Sequence, residues 1–102
     1  MKIIQKLNDK IAEEINDAKC YVTMALEHKD ERRGLADTLY MISTEEMRHM
    51  SLLHNEVVKI IEEYRKKNGE PPAEMLAVYE YLHKKHIEAA GEAKALQALY
   101  KE

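Results

Sequence analysis

The sequence has few of the residues that break helices and make turns. Among 102 residues there are three glycines and two prolines, and the prolines stand side by side at Pro71 and Pro72. Because such a chain can reverse its direction only a few times, we expect a small number of long helices. The length is that of one domain, so residues 1–102 are expected to form a single helical domain.

Cysteine is nearly absent, since Cys20 is the only one. Zinc and iron–sulfur sites built from paired thiolates are therefore excluded, and no internal disulfide is expected. The first residues turn polar after Ile4, and no apolar run is long enough for a secretory signal or a membrane span. We expect a soluble cytoplasmic protein, with a protein compartment inside the cell as the open alternative.

Basic clusters are missing as well. The chain has 16 Lys and Arg against 19 Asp and Glu, for a net charge of -3. Nucleic-acid binding needs a concentrated positive surface, so DNA and RNA are not expected partners.

Apolar residues recur at helical spacing in three segments, which predicts helices at about residues 3–28, 35–67 and 73–100. The breaks are the polar run 29–34 and the segment 68–72, in which Asn68-Gly69 is a typical helix stop. Short connections favour antiparallel packing, so we expect an all-α fold with a long helical hairpin and a third helix.

The second predicted helix carries a Glu-x-x-His pair, Glu46 and His49, one turn apart. Both lie on the stripe that the apolar spacing predicts to face the core: Leu35, Leu39, Ile42, Glu46, His49, Leu53, Val57, Ile60, Tyr64. An ionised carboxylate buried there would cost several kcal/mol unless a counter-charge neutralised it. A bound metal ion would supply that charge.

A second inward-facing carboxylate, Glu14, is expected on the first helix. Counting outward from a turn near Glu31 puts Glu14 and Glu46 at about the same height in an antiparallel hairpin. Glu14, Glu46 and His49 could then converge on one point. Oxygen donors with one imidazole suit Fe(II), Mn(II) or Zn(II).

These three ligands are half of a known set. Carboxylate-bridged di-iron proteins use a Glu from each of two helices and a Glu-x-x-His from each of two others in a four-helix bundle. A two-fold dimer repeats every ligand and would complete the set. The sequence therefore predicts a homodimer, or a higher even-numbered assembly, with metal between the subunits.

Glu14, Tyr21 seven residues later, and Glu46-Met47-Arg48-His49 together resemble the first hairpin of the ferritin, bacterioferritin and rubrerythrin superfamily. The resemblance covers residues 3–67, about two thirds of the chain. The second hairpin of those proteins is missing, and in this the chain resembles the half-length encapsulated ferritins, whose metal site forms between subunits.

The resemblance implies roles for these residues. Glu14 would be a terminal ligand, Glu46 the bridging carboxylate and His49 a terminal nitrogen ligand, while Tyr21 would donate a hydrogen bond or act in redox chemistry. The implied reaction is oxidation of Fe(II) to Fe(III) by oxygen or peroxide at two irons per dimer, for iron storage or detoxification, with Mn or Zn as substitutes. A rubrerythrin-like cysteine-paired tail is absent, and residues 99–102 do not resemble an encapsulin-targeting peptide.

Other interpretations stay open. The triad could form a buried polar network in a non-enzymatic dimer or adaptor module, or hold a static metal ion. Tyr21 could be an ordinary core tyrosine, and Cys20 a small residue in the wall. A second Glu-x-x-His pair, Glu80 and His83, lies at the wrong height along the bundle for this site. His86 is level with about His54 and is expected to be a histidine that packs against its neighbours.

Overall fold

The computed structural model of residues 1–102 is all-helical. Helix α1 spans Lys2–His28, α2 spans Arg33–Asn68 and α3 spans Ala73–Lys101, so the predicted bounds are met within two residues at every end. The molecule is an elongated rod with extents of 56 × 19 × 17 Å. None of the helices is both long and apolar enough to cross a bilayer.

The break between α2 and α3 has a local cause. Gly69 follows the last residue of α2 with φ at 78°, and its N–H donates to the carbonyl oxygen of Arg65 at 3.0 Å. That backbone conformation strains any residue with a Cβ, so glycine ends the helix at no steric cost. Pro72 then precedes α3, and its carbonyl accepts the first helical hydrogen bond, from the N–H of Leu76.

α1 and α2 form an antiparallel hairpin, and α3 packs along one side of it, more against α1 than against α2. The buried residues of α1 recur at helical spacing: Ile4, Ile11, Ile15, Ala18, Val22, Ala25. Those of α2 are Ala36, Leu39, Ser43, Met47 and Val57. Several of these are small, so the hairpin helices lie close together.

The buried line of α2 corrects the predicted stripe. Leu35, expected to face the core, is 44% exposed, and the neighbouring Ala36 is fully buried in its place. His49, also expected inside, is exposed. The reason is that the buried line of α2 runs to one side of the expected stripe, through Ala36 and Ser43. It keeps Leu39 and Val57 of that stripe, while Leu35 and His49 lie at its edge.

Ser43 joins all three helices. Its buried hydroxyl donates to the carbonyl oxygen of Ala18 on α1 at 2.6 Å and accepts from the Gln97 side-chain amide on α3 at 2.9 Å. The bond to Ala18 is buried and the bond from Gln97 is partly buried, which makes this polar contact specific for one register of the bundle.

The far end of α3 is anchored at the hairpin turn. The Tyr100 hydroxyl donates to a carboxylate oxygen of Asp37, the Tyr100 ring stacks on Tyr40 at 4.8 Å, and the Lys29 ammonium donates to the Tyr100 carbonyl oxygen at 2.6 Å. The hydrogen bond from Tyr100 lowers the pKa of Asp37.

Replacing Ser43 with alanine should destabilise the fold by about 1–2 kcal/mol, because the bond to Ala18 is lost and the Gln97 amide loses its partner. Urea unfolding followed by circular dichroism measures this. Ser51→Ala is the matched control on the same helix, since the exposed Ser51 hydroxyl bonds only to Met47 within α2. An equal effect of the two substitutions would contradict the joining role of Ser43.

Candidate metal centre

The structure brings Glu14, Glu46 and His49 together near the middle of the hairpin. Glu14 comes from α1, and Glu46 and His49 come from adjacent turns of α2. One ligand atom of each residue lies within 4.8 Å of the others. His49 Nδ1 is 3.6 Å from Glu14 Oε2 and 3.9 Å from Glu46 Oε2.

The triad lies at the edge of the hairpin and not in its core. The side chains of Glu14 and Glu46 are 22% and 19% exposed, and that of His49 is 45% exposed. The expectation that both polar residues of α2 face the core is therefore wrong for His49. The imidazole is open to solvent, while the two carboxylates are partly shielded.

One carboxylate oxygen in this group has no partner. Glu14 Oε2 is buried from solvent and makes no hydrogen bond. A shielded carboxylate oxygen without a donor is costly, and a second carboxylate nearby adds repulsion. Hard oxygen donors with one imidazole match what Fe(II), Mn(II) and Zn(II) bind, so this donor set fits a divalent transition-metal ion.

The triad belongs to a longer strip of side chains at heptad spacing, which we call the site face. On α1 and α2 it comprises Leu7, Glu14, Tyr21, Leu35, Ile42, Glu46, His49, Leu53 and Ile60. None of these nine residues is fully buried in the single chain. The three candidate ligands are thus surrounded by incompletely covered apolar side chains.

α3 does not cover the site face. It contacts the hairpin through pairs such as Lys19 with Glu92, 2.6 Å apart, and His54 with His83. Lys19 is five residues after Glu14, and His54 is five residues after His49. Five residues correspond to a rotation of about 140° around the helix axis. The site face and the α3 contact are therefore on different sides of the hairpin.

Tyr21 lies on the site face two turns from Glu14, partly buried against the apolar cluster at the hairpin turn. Its hydroxyl makes no hydrogen bond to the triad, so its proposed role in hydrogen bonding or redox chemistry stays a prediction. Cys20, which was expected to be a small residue in the wall of the helical bundle, is exposed.

The histidines of α3 take no part in this centre. His83 stacks on His54 with ring centroids 4.6 Å apart, and His86 lines the same cavities as these two rings. Counting from the turn placed His86 level with His54, but it did not predict the stack of His83 on His54.

Comparisons of the chain with protein-family models, with curated proteins and with solved structures found no match. The chemistry of the site therefore has to be argued from the geometry of its own residues.

Glu14→Gln should leave the metal-free protein as stable as before, or more stable by up to about 1 kcal/mol, because it removes one of two neighbouring negative charges. Urea unfolding at pH 8 with a chelator present measures this. The control is Glu13→Gln, since Glu13 is exposed and pairs only with Lys10 at 3.0 Å. A loss above about 1 kcal/mol for Glu14→Gln alone would mean that its charge is already compensated.

Proposed function

We propose that two copies of this chain associate through their site faces into a ferritin-like four-helix bundle that binds two iron ions and oxidises Fe(II) to Fe(III). The oxidant is oxygen or peroxide. The observation that carries the proposal is the convergence of Glu14, Glu46 and His49 at the uncovered edge of the hairpin.

The ligand count supports association. Each chain offers two carboxylates and one imidazole, and a two-fold axis beside them would double this to four carboxylates and two imidazoles. That is the set used by carboxylate-bridged di-iron bundles. Four glutamates balance the charge of two divalent ions, so the assembled site would be close to neutral.

The surroundings of the triad support the same arrangement. Residues of the site face recur every seven residues on both helices, which is the spacing that packs helices at small crossing angles in bundles. Leu35 is exposed, and Ile42, Leu53 and Ile60 are only partly covered. A second hairpin laid on this face would bury these side chains and exclude water around the ligands.

The residues of the chain have distinct tasks in this reaction. Glu14 supplies an oxygen that is already shielded and unpartnered, which favours binding of a cation without prior loss of a hydrogen bond. Glu46 supplies the carboxylate suited to lie between two ions, and the exposed His49 supplies the nitrogen ligand. When bound, two Fe(II) ions can together give up two electrons, which reduce O2 with two protons to hydrogen peroxide, or peroxide with two protons to water.

A static metal site in a non-enzymatic dimer is the competing proposal. The same triad would form such a static site if the ion bound there were zinc, because zinc has no redox chemistry. Elemental analysis of the purified protein and the following assay separate the two.

Anaerobic protein loaded with Fe(II) and then exposed to air should bind two irons per dimer and develop near-ultraviolet oxo-ferric absorption with uptake of oxygen. Glu46→Ala should lower iron content and the oxidation rate at least tenfold, because it removes a ligand from each half of the site. Glu45→Ala is the control, since Glu45 is the exposed neighbour of Glu46.

Iron content unchanged by Glu46→Ala would overturn the ligand assignment. Bound iron that consumes neither oxygen nor peroxide would remove the oxidase activity and leave the static site.

Ile42→Glu should raise the dimer dissociation constant at least 100-fold, because it places a charge in the apolar part of the proposed interface. Sedimentation equilibrium measures this constant, and circular dichroism confirms that the variant is folded. Met41→Glu is the matched control, because Met41 is 58% exposed and lies one residue off the site face. A wild-type chain that stays monomeric with and without iron would refute the shared site.

A further inference from the structure

A cluster of three histidines lies between α2 and α3, away from the candidate metal centre. His54 belongs to α2, and His83 and His86 lie one turn apart on α3. His54 is five residues from His49, about 7.5 Å along α2 and on a different side of it. The proposed iron chemistry does not use any of the three rings.

We propose that His54, His83 and His86 form a second, independent metal site, which binds one borderline divalent ion of the Zn²⁺, Co²⁺ or Cu²⁺ class and ties α3 to α2. Imidazole nitrogen is a preferred ligand of these ions. Three histidines are also the protein ligands of well-known zinc sites, where a water completes the tetrahedron.

The spacing of the rings fits a shared ion. A zinc–nitrogen bond of about 2.0–2.1 Å puts the ring centroid about 3.2 Å from the ion. Two imidazoles that share an ion at angles of about 90–110° then have centroids about 4.5–5.2 Å apart. The centroids of His54 and His83 are 4.6 Å apart, within this range.

The rings now stack with an interplanar angle of 15°, so their lone pairs do not point to one ion. Binding therefore requires the rings to turn about their own side-chain bonds, but it does not require the helices to move. The space for this turn is present, because all three rings line two adjoining cavities of about 230 and 380 Å³. His86 lines both cavities with them and lies three residues from His83, on the same surface of α3.

The protonation state favours metal binding. Burial, and secondarily the neighbouring His83, lowers the pKa of His54. Burial lowers the pKa of His86 too, with His83 and His54 adding to the effect. A lowered pKa favours the neutral form of both rings, which is the form that binds a metal ion.

The charged side chains that line the two cavities are two acidic and two basic ones. Glu62 and Arg65 of α2 and Glu80 of α3 line the first cavity, and Lys94 of α3 lines the second. Arg65 is already paired with Glu62 at 2.6 Å. Glu80 has no such ion pair and lines the first cavity together with the three histidines. From α1 the cavities receive only uncharged side chains.

Zinc binding to the full chain with Glu14→Gln and Glu46→Gln tests the proposal, because these substitutions disable the candidate iron centre and keep the histidine cluster. Equilibrium dialysis at pH 7.5 with elemental analysis should find about one Zn²⁺ per chain. Adding His54→Asn and His83→Asn should weaken binding at least tenfold, whereas adding His28→Asn should not change it.

Imidazole NMR resonances of the same Glu14→Gln, Glu46→Gln protein give a readout that needs no histidine substitution. Zn²⁺ should shift the ring signals of His54, His83 and His86 and leave those of His28 unchanged, and Co²⁺ should give the visible absorption of a tetrahedral ion. No zinc bound, or zinc bound without shifts of these three rings, would overturn the second site. Neither result bears on iron oxidation, which is measured with Glu14 and Glu46 intact.

Discussion

The close approach of α1 and α2 is the constraint on which the rest of the structure depends. Ala18, Ala25, Ala36 and Ser43 are all fully buried, and their small side chains let the two backbones come near each other. Only at this separation can the Ser43 hydroxyl reach the carbonyl oxygen of Ala18 at 2.6 Å. The same separation brings Glu14 within reach of His49, so the geometry of the triad follows from how the hairpin is packed.

A narrow seam also explains the electrostatics of the candidate centre. Glu14, Glu46 and His49 lie along the edge of this seam, where one oxygen of Glu14 is shielded from water and still has no donor. The apo state carries the free-energy cost of that arrangement. A cation that relieved this cost would bind the folded hairpin and not the unfolded chain, so metal loading would be coupled to stability.

Much of the fold could be predicted from the sequence because its helix breaks are few and strong. Gly69 and the two prolines after it fix the end of α2, and counting from the first turn placed Glu14 opposite Glu46 and His49. The buried face of α2 could not be predicted in the same way. Its apolar residues lie on two adjacent lines, one through Leu35 and one through Ala36, and both have helical spacing.

The line that becomes buried is decided by contacts with α1 and α3, which are distant in sequence. The spacing of α2 alone contains no information about the position of α3. For the same reason the stacking of His54 on His83 was not anticipated, since it depends on the rotation of α3 about its own axis. Local signals thus gave the lengths and order of the helices, while side-chain burial required the tertiary arrangement.

α3 occupies one flank of the hairpin and leaves the other free, and this asymmetry would limit the stoichiometry of the proposed assembly. A rod with two equivalent open flanks could add neighbours on both sides and polymerise without end. With a single open flank, a two-fold pairing uses up that surface and growth stops. Any larger particle would have to be joined through another surface, such as the outer side of α3, where Tyr81 is 60% exposed.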